Sequence, residues 1–291
     1  MSFRTVLVTQ KAKLSFKDNF LVIQGETTNM IHLSEIHTII IESTMVQLSA
    51  YLLAQLSTNK IKLIICDERH NPTAEMVSYF ANYNTSKKFL NQVRWNELGK
   101  KSLWTKIVSN KILNQARFLA SLQIEERANM LLQYLSEVEL DDETNREGHS
   151  AKVYFNGLFG VDFSRDKVCD INSALDYGYT IVLSAFNRTI SSLGYANQLG
   201  IKHKNEYNFF NLGCDLMEPF RVIVDEFVYN NRDRIFDSAY KQDLVQLLNK
   251  PINYCDKNMV MTNAINVFVI NALRTIDDNR ISEYQAYEYG V

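Results

Sequence analysis

The hydrophobic pattern of this chain changes period once. Up to about residue 70 the apolar residues alternate or run in short blocks, as in RTVLVT from Arg4, AKLSFKDNFLVIQ from Ala12, IHTIIIES from Ile36 and IKLIICD from Ile61. Beyond about residue 81 they recur every third or fourth position instead. Period 2 belongs to half-buried strands and period 3.6 to helix faces. The chain is therefore predicted to be α+β: a small N-terminal β-sandwich-like domain with one helix, residues 1–75, and a larger all-helical catalytic domain, residues 76–291, with a connector near 67–81. The first domain turns a hairpin at Lys17, Asp18 and Asn19 and places its helix over 46–56. Its closely spaced strands speak against a series of βαβ units. In the second, Trp104, Val108, Ile112, Ala116 and Leu119 form one face of a long helix, and further helices start near Ala151, Asn172 and Phe220. Gly178 inside a helical run points to close packing there.

Composition excludes several classes. The 291 residues contain only 3 prolines and 10 glycines, too few for long disordered segments. Four cysteines without close spacing fit a reducing compartment and offer no zinc-ribbon pattern. With no long uncharged apolar run and no signal-peptide pattern, the expected location is the cytoplasm, away from any membrane.

A net charge of −2 does not point to nucleic acid, but its distribution does. Eight bases (Lys87, Lys88, Arg94, Lys100, Lys101, Lys106, Lys111 and Arg117) face a single acid, Glu97, whereas the stretch from Glu125 to Glu147 is strongly acidic. The basic run is either a phosphate-tracking surface or a solvated helix face. Trp95 and Trp104 lie within it, as base-stacking platforms or as core.

NLGCDLMEPFR, residues 211–221, sets Asp215 and Glu218 on one side of an apolar helix, whose axis Pro219 kinks if the helix continues through it. Glu218 can pair with Arg221 at i,i+3, and Asp215 can be an ordinary cap or helix-face carboxylate. Glu147, in REGHSAKVYF with Asn145 as a candidate cap, and His203, between Lys202 and Lys204, add a carboxylate and an imidazole. His149 competes with His203, but in a helix it would face away from Glu147. Carboxylates plus one nitrogen suit Mg²⁺ or Mn²⁺. The flanking bases Arg146, Lys202, Lys204 and Arg221 would be misplaced beside a cation unless a phosphodiester lay among them.

REGHSAKVYFNGLFG, LDYGYTIVLSAF, GIKHKNEYNFFNLGCDLMEPFR and WTKIVSNKILNQA together resemble the CRISPR-associated integrases, the first of the CRISPR-associated proteins. The form they resemble accompanies a single large RNA-guided effector nuclease (type II). The likeness runs in order over nearly the whole chain. It implies a divalent-metal-dependent DNA integrase and endonuclease of CRISPR adaptation. Such an enzyme joins prespacer 3′-hydroxyl ends to phosphodiesters of the leader-end repeat. By this resemblance Glu147, His203 and Glu218 are the metal ligands and catalytic residues. Asp215 and Arg221 support them, with Arg165 joining the other bases as a DNA contact. The implied partners are double-stranded DNA (prespacer and leader-repeat), a second copy of the chain and a dimer of the second CRISPR-associated protein. Other adaptation proteins and the effector nuclease are further implied contacts. The alternatives are a branched-DNA repair nuclease and a non-catalytic DNA-binding scaffold subunit.

Overall fold

A computed structural model describes residues 4–68, 72–76 and 84–290. The β region opens with β1 (Arg4–Val8), β2 (Lys13–Lys17), β3 (Phe20–Gln24), β4 (Thr28–His32), β5 (Ile36–Ile41) and β6 (Gln47–Leu48). The helix α1 (Ala50–Thr58), β7 (Lys62–Cys66) and β8 (Pro72–Met76) complete it. Two four-stranded sheets result, in the orders β1-β5-β7-β8 and β4-β3-β2-β6. The hairpin expected at Lys17 is present: Lys17 pairs with Phe20, and Asp18 and Asn19 between them take positive φ values of 50° and 65°. Two-residue turns matching the strand twist need that conformation, which Asp and Asn tolerate.

Two expectations need correction. The helix begins at Ala50 rather than 46, where the Ser49 side chain accepts from the Leu52 amide and caps it. The first sheet also contains the crossover that short spacing argues against, because β5 runs parallel to both β1 and β7 and α1 lies in the connection from β5 to β7. The segment between Ile41 and Lys62 is long enough for such a crossover. Part of the expected connector is itself a strand, since β8 pairs antiparallel with β7; residues 69–71 and 77–83 lie outside the described residues.

The unbroken apolar run of β5 is explained by burial on both faces. Ile39 and Ile41 enter the core between the sheets with Leu14, Leu21 and Leu52, whereas Ile40 and Ile64 enter the core of the helical region. A buried polar clasp reinforces that seam. From the helical side, Arg188 donates to Lys60 O at 3.0 Å and stands 2.9 Å from His37 Nε2. Burial, then the Arg188 charge, lowers the His37 pKa to about 3, so the imidazole there is neutral.

The helical region follows as α2 (Thr85–Val93), α3 (Glu97–Ser121), α4 (Glu125–Ser136), α5 (Arg146–Phe159), α6 (Asp170–Ser192), α7 (Asn211–Met217), α8 (Arg221–Asn230), α9 (Ser238–Gln246) and α10 (Met261–Asp277). One short hairpin, β9 (Pro251–Tyr254) with β10 (Lys257–Val260), interrupts it between α9 and α10. Trp95 and Trp104 are both core residues, the former donating to Asp277 Oδ1 at 2.9 Å. Gly178 is where α6 meets α8, and a Cβ there would come within 2.5 Å of Val224 Cγ1. At Pro219 the helix breaks: a single 3₁₀ turn, Glu218–Phe220, separates α7 from α8.

Candidate active site

Four segments converge on one buried charge cluster. The long helix α3 supplies Lys111, whose position continues the core stripe of Trp104, Ile107 and Val108. Its side chain is only 10 % exposed, and its ammonium stands 2.7 Å from Glu147 Oε1 and 2.5 Å from Glu218 Oε2. Glu147 sits in the first turn of α5. That turn is held by a residue that the sequence pattern does not single out. Asp142, not Asn145, caps it, its two carboxylate oxygens accepting from the Arg146 amide at 2.7 Å and the Glu147 amide at 3.0 Å.

Glu218 comes from the 3₁₀ turn that Pro219 imposes. Its carboxylate is nearly inaccessible and takes Arg221 Nε at 2.9 Å on Oε1 and the Lys111 ammonium on Oε2. Burial pushes its pKa up, but Arg221 and Lys111 outweigh that and hold Glu218 ionised, well below the usual carboxylate range. The Lys111 approach to Oε2 has charge proximity without hydrogen-bond alignment, so this buried oxygen makes no directed hydrogen bond. Arg221 is fixed from its other side by the Tyr179 ring, 4.4 Å from the guanidinium carbon.

His203 and Asp215 form the second half of the site. Asp215 is fully buried in α7, and one of its oxygens accepts from the backbone amides of Ile201 at 2.7 Å and Lys202 at 2.9 Å. The other is hydrogen-bonded to His203 Nδ1. Burial raises the Asp215 pKa against the opposing pull of His203 and the two amides, and its hydrogen bond in turn raises that of His203. The imidazole also lies edge-on to Trp104 with ring centres 5.6 Å apart, and Glu147 and Glu218 are near enough to add to the upward shift. Gly200 is required here: a Cβ would lie 2.4 Å from His203 O and 2.8 Å from Asp215 Oδ2.

The structure therefore brings Glu147, His203, Asp215, Glu218 and Arg221 into one neighbourhood. His149 is exposed and lies against Tyr134, with ring centres 6.2 Å apart. Among the described residues, no three His, Cys, Asp or Glu stand together as a ready metal cluster. Between the carboxylates, the Lys111 ammonium bridges Glu147 and Glu218. The donor chemistry nonetheless fits a hard divalent ion. Two carboxylates are available, one with a buried oxygen lacking a directed hydrogen bond, and the imidazole has its Nδ1 committed to a carboxylate so that Nε2 can ligate.

The remaining bases are spread more widely. Lys88 pairs with Asp277 at 2.8 Å, Lys100 with Glu97, Arg117 with Glu288 at 2.8 Å and Arg146 with Glu137 at 3.0 Å. Arg165 pairs with Asp176, Lys202 with Asp141 at 3.1 Å, and Lys101 lies 3.6 Å from Glu143. Lys87, Arg94, Lys106 and Lys204 have exposed positions. Lys111 is buried within the carboxylate cluster instead of lying along an open surface.

The helical region thus gathers two carboxylates, an imidazole and fixed cations behind a β region, a set of groups suited to phosphodiester chemistry. The particular family is that described as CRISPR associated protein Cas1, whose model matches residues 5–250, and the chain belongs to it. It is 37 % identical over 228 residues to the CRISPR-associated endonuclease Cas1 of Neisseria meningitidis serogroup C (strain 8013), covering 77 % of this chain and 74 % of that protein. Among solved structures, it resembles a chain of a Cas6-RT-Cas1–Cas2 complex with a TM-score of 0.77 and 17 % identity. That match covers 98 % of this chain but 36 % of the longer one. A casposase bound to integration product matches with a TM-score of 0.68 and 18 % identity, over 100 % of this chain and 96 % of the other. A function in CRISPR adaptation as a metal-dependent nuclease or integrase follows from family membership. No helix among the described residues is long and apolar enough to cross a membrane.

Proposed function

We propose that this chain is the integrase of CRISPR adaptation in the form that accompanies a single-effector system. On this reading it acts as a homodimer together with a dimer of the second CRISPR-associated protein. The observation that carries the reaction is the convergence of Glu147, the Asp215-oriented His203 and Glu218 beside Arg221. Glu147, His203 Nε2 and Glu218 would hold Mg²⁺ or Mn²⁺, which when bound supplies Lewis-acid stabilisation of charge on phosphate and alkoxide oxygens. The residues themselves supply order and charge. Asp215 fixes the imidazole tautomer with Nδ1 protonated, leaving Nε2 as a donor of electrons. Arg221, clamped against Tyr179, offers a permanent cation to the nonbridging oxygens of a target phosphate.

The prespacer 3′-hydroxyl then attacks a repeat phosphodiester. One P–O bond forms as another breaks, the attacking hydroxyl loses its proton and the departing strand leaves with a 3′-hydroxyl. The number of phosphodiesters is unchanged, so neither ATP nor a covalent enzyme intermediate is needed. Water in place of the hydroxyl gives cleavage, consistent with the name endonuclease carried by the relative from Neisseria meningitidis.

The test is joining of a labelled 3′-hydroxyl duplex to a supercoiled plasmid bearing a leader and repeat, with the partner dimer and Mg²⁺ present. Joined product supports the integrase. Nicking alone moves the assignment to a branched-DNA nuclease, and no reaction moves it to a DNA-binding scaffold.

A further inference from the structure

We propose that Lys111 is a built-in counter-cation. Its ammonium neutralises Glu147 and Glu218 in the metal-free protein and is displaced when a divalent ion binds, so Lys111 sets the metal affinity of the site. This rests on the metal-site reading above. The two carboxylates come from separate elements, the first turn of α5 and the 3₁₀ turn before α8, and the Lys111 ammonium spans them at 2.7 Å and 2.5 Å. Without it, two carboxylates would share a largely buried space with Arg221 alone to offset them, and like charges so placed repel. Lys111 thus stabilises a ligand pair that would otherwise open or protonate before any ion arrived.

Geometry also indicates which cation gives way. Arg221 holds the other oxygen of Glu218 through an aligned Nε hydrogen bond and is anchored on the Tyr179 ring, so it remains in place. Lys111 donates to Glu147 Oε1 at 2.7 Å but meets Glu218 Oε2 without an aligned hydrogen bond. A point charge on a flexible four-carbon stem withdraws more readily than a stacked guanidinium. Of the other ionisable groups facing this region, His203 is paired with Asp215, and Asp225 already accepts hydrogen bonds from Tyr154 and Tyr179 on its two oxygens. Its field nevertheless favours an ammonium that stays nearby. Where ligands are free about one tenth of the time, an entering ion meets an affinity lowered about tenfold.

The inference is tested by titrating Mn²⁺ into the full chain and following free Mn²⁺ by electron paramagnetic resonance, for the unmutated protein, Lys111→Met and Glu218→Gln. Lys111→Met should bind about tenfold more tightly and should melt lower without metal but recover in saturating Mn²⁺. A second readout uses the unmutated chain. Acetylation of Lys111, read by mass spectrometry against exposed Lys87, should be slow without Mn²⁺ and rise several-fold with it. Equal or weaker binding by Lys111→Met, or a Lys111 footprint unmoved at saturating Mn²⁺, overturns the counter-cation. Equal binding by Glu218→Gln and the unmutated chain shows that the ion goes elsewhere, and overturns the metal-site reading and the inference together.

Discussion

Asp215 holds His203 twice over, once through the imidazole Nδ1 and once through the backbone leading to it, because the same buried carboxylate accepts from the amides of Ile201 and Lys202. Removing its charge therefore loosens the loop as well as the ring. Asp215→Asn presents an NH₂ group where donors already converge. DNA joining should fall about 10- to 100-fold, the range for losing a carboxylate that orients a ligand, and amide exchange at 201–203 should accelerate. Unchanged joining with unchanged exchange would remove Asp215 from the positioning role.

Glu147, His203 and Glu218 should each be indispensable for strand joining, but their alanine variants should differ in stability. Glu218 is 5 % exposed and neutralises two cations, whereas Glu147 is 24 % exposed. Truncating one member of a buried pair leaves the other's charge uncompensated, at a cost of roughly 3–5 kcal/mol. Glu218→Ala should melt well below Glu147→Ala, while Glu218→Gln should keep more of the fold and still be inactive. Similar melting temperatures for the two alanine variants would show that the cluster around Glu218 contributes little to the fold.

The change of period separates the β region from the helices because strand and helix burial leave different repeats in a sequence, and the kink expected at Pro219 is a 3₁₀ turn over Glu218–Phe220 that divides two helices. What stays hidden is set by tertiary neighbours. Asp142 caps α5 from a turn where Asp141 and Asp142 both have positive φ, a role that propensity assigns to Asn145 as readily. The parallel pairing of β1, β5 and β7 depends on a crossover that local alternation does not encode. Lys111 does leave a signal, since a lysine on the core stripe of α3 needs a buried anion. It is outweighed by the surrounding run of bases, of which Lys88, Lys101 and Arg117 pair with acids far along the chain.

Asp225 should make stability depend on pH. Burial raises its pKa to about 6, against hydrogen bonds from Tyr179 and Tyr154 and the charge of Arg221. A carboxyl with a raised folded-state pKa binds its proton more tightly when folded, so its contribution is greatest below about 3.8 and is lost as pH rises to about 6. Asp225→Asn cannot titrate. Unfolding free energies of the two proteins should therefore converge or cross as pH rises through that window, shifting relative to each other by roughly 2–3 kcal/mol at 1.36 kcal/mol per pH unit. A difference constant from pH 4 to 7 would show that Asp225 titrates normally.

DNA binding is expected to divide the basic residues by their present partners. Lys100 is paired with Glu97, and Lys101 lies near Glu143 and Asp141, so each exchanges an existing interaction when it meets a phosphate. Lys87, Arg94, Lys106 and Lys204 stand at exposed positions, and Lys204 belongs to the loop that carries His203. Charges scattered in this way track backbone phosphates and do not read bases. Changing Lys87, Arg94 and Lys106 together to Ala should weaken binding equally on unrelated duplexes. It should also flatten the dependence of log affinity on log salt by about 0.9 for each phosphate that is no longer neutralised. Lys100→Ala with Lys101→Ala should change the slope less, because freeing Glu97 and Glu143 adds local negative charge that weakens binding without removing as many counterion-releasing pairs. Binding measured by fluorescence anisotropy across a salt series, with Glu218→Gln as a variant altered only at the chemical centre, separates the two sets. A larger slope change for the Lys100 and Lys101 pair would place the DNA path along the acidic edge of 141–143 and away from the exposed bases.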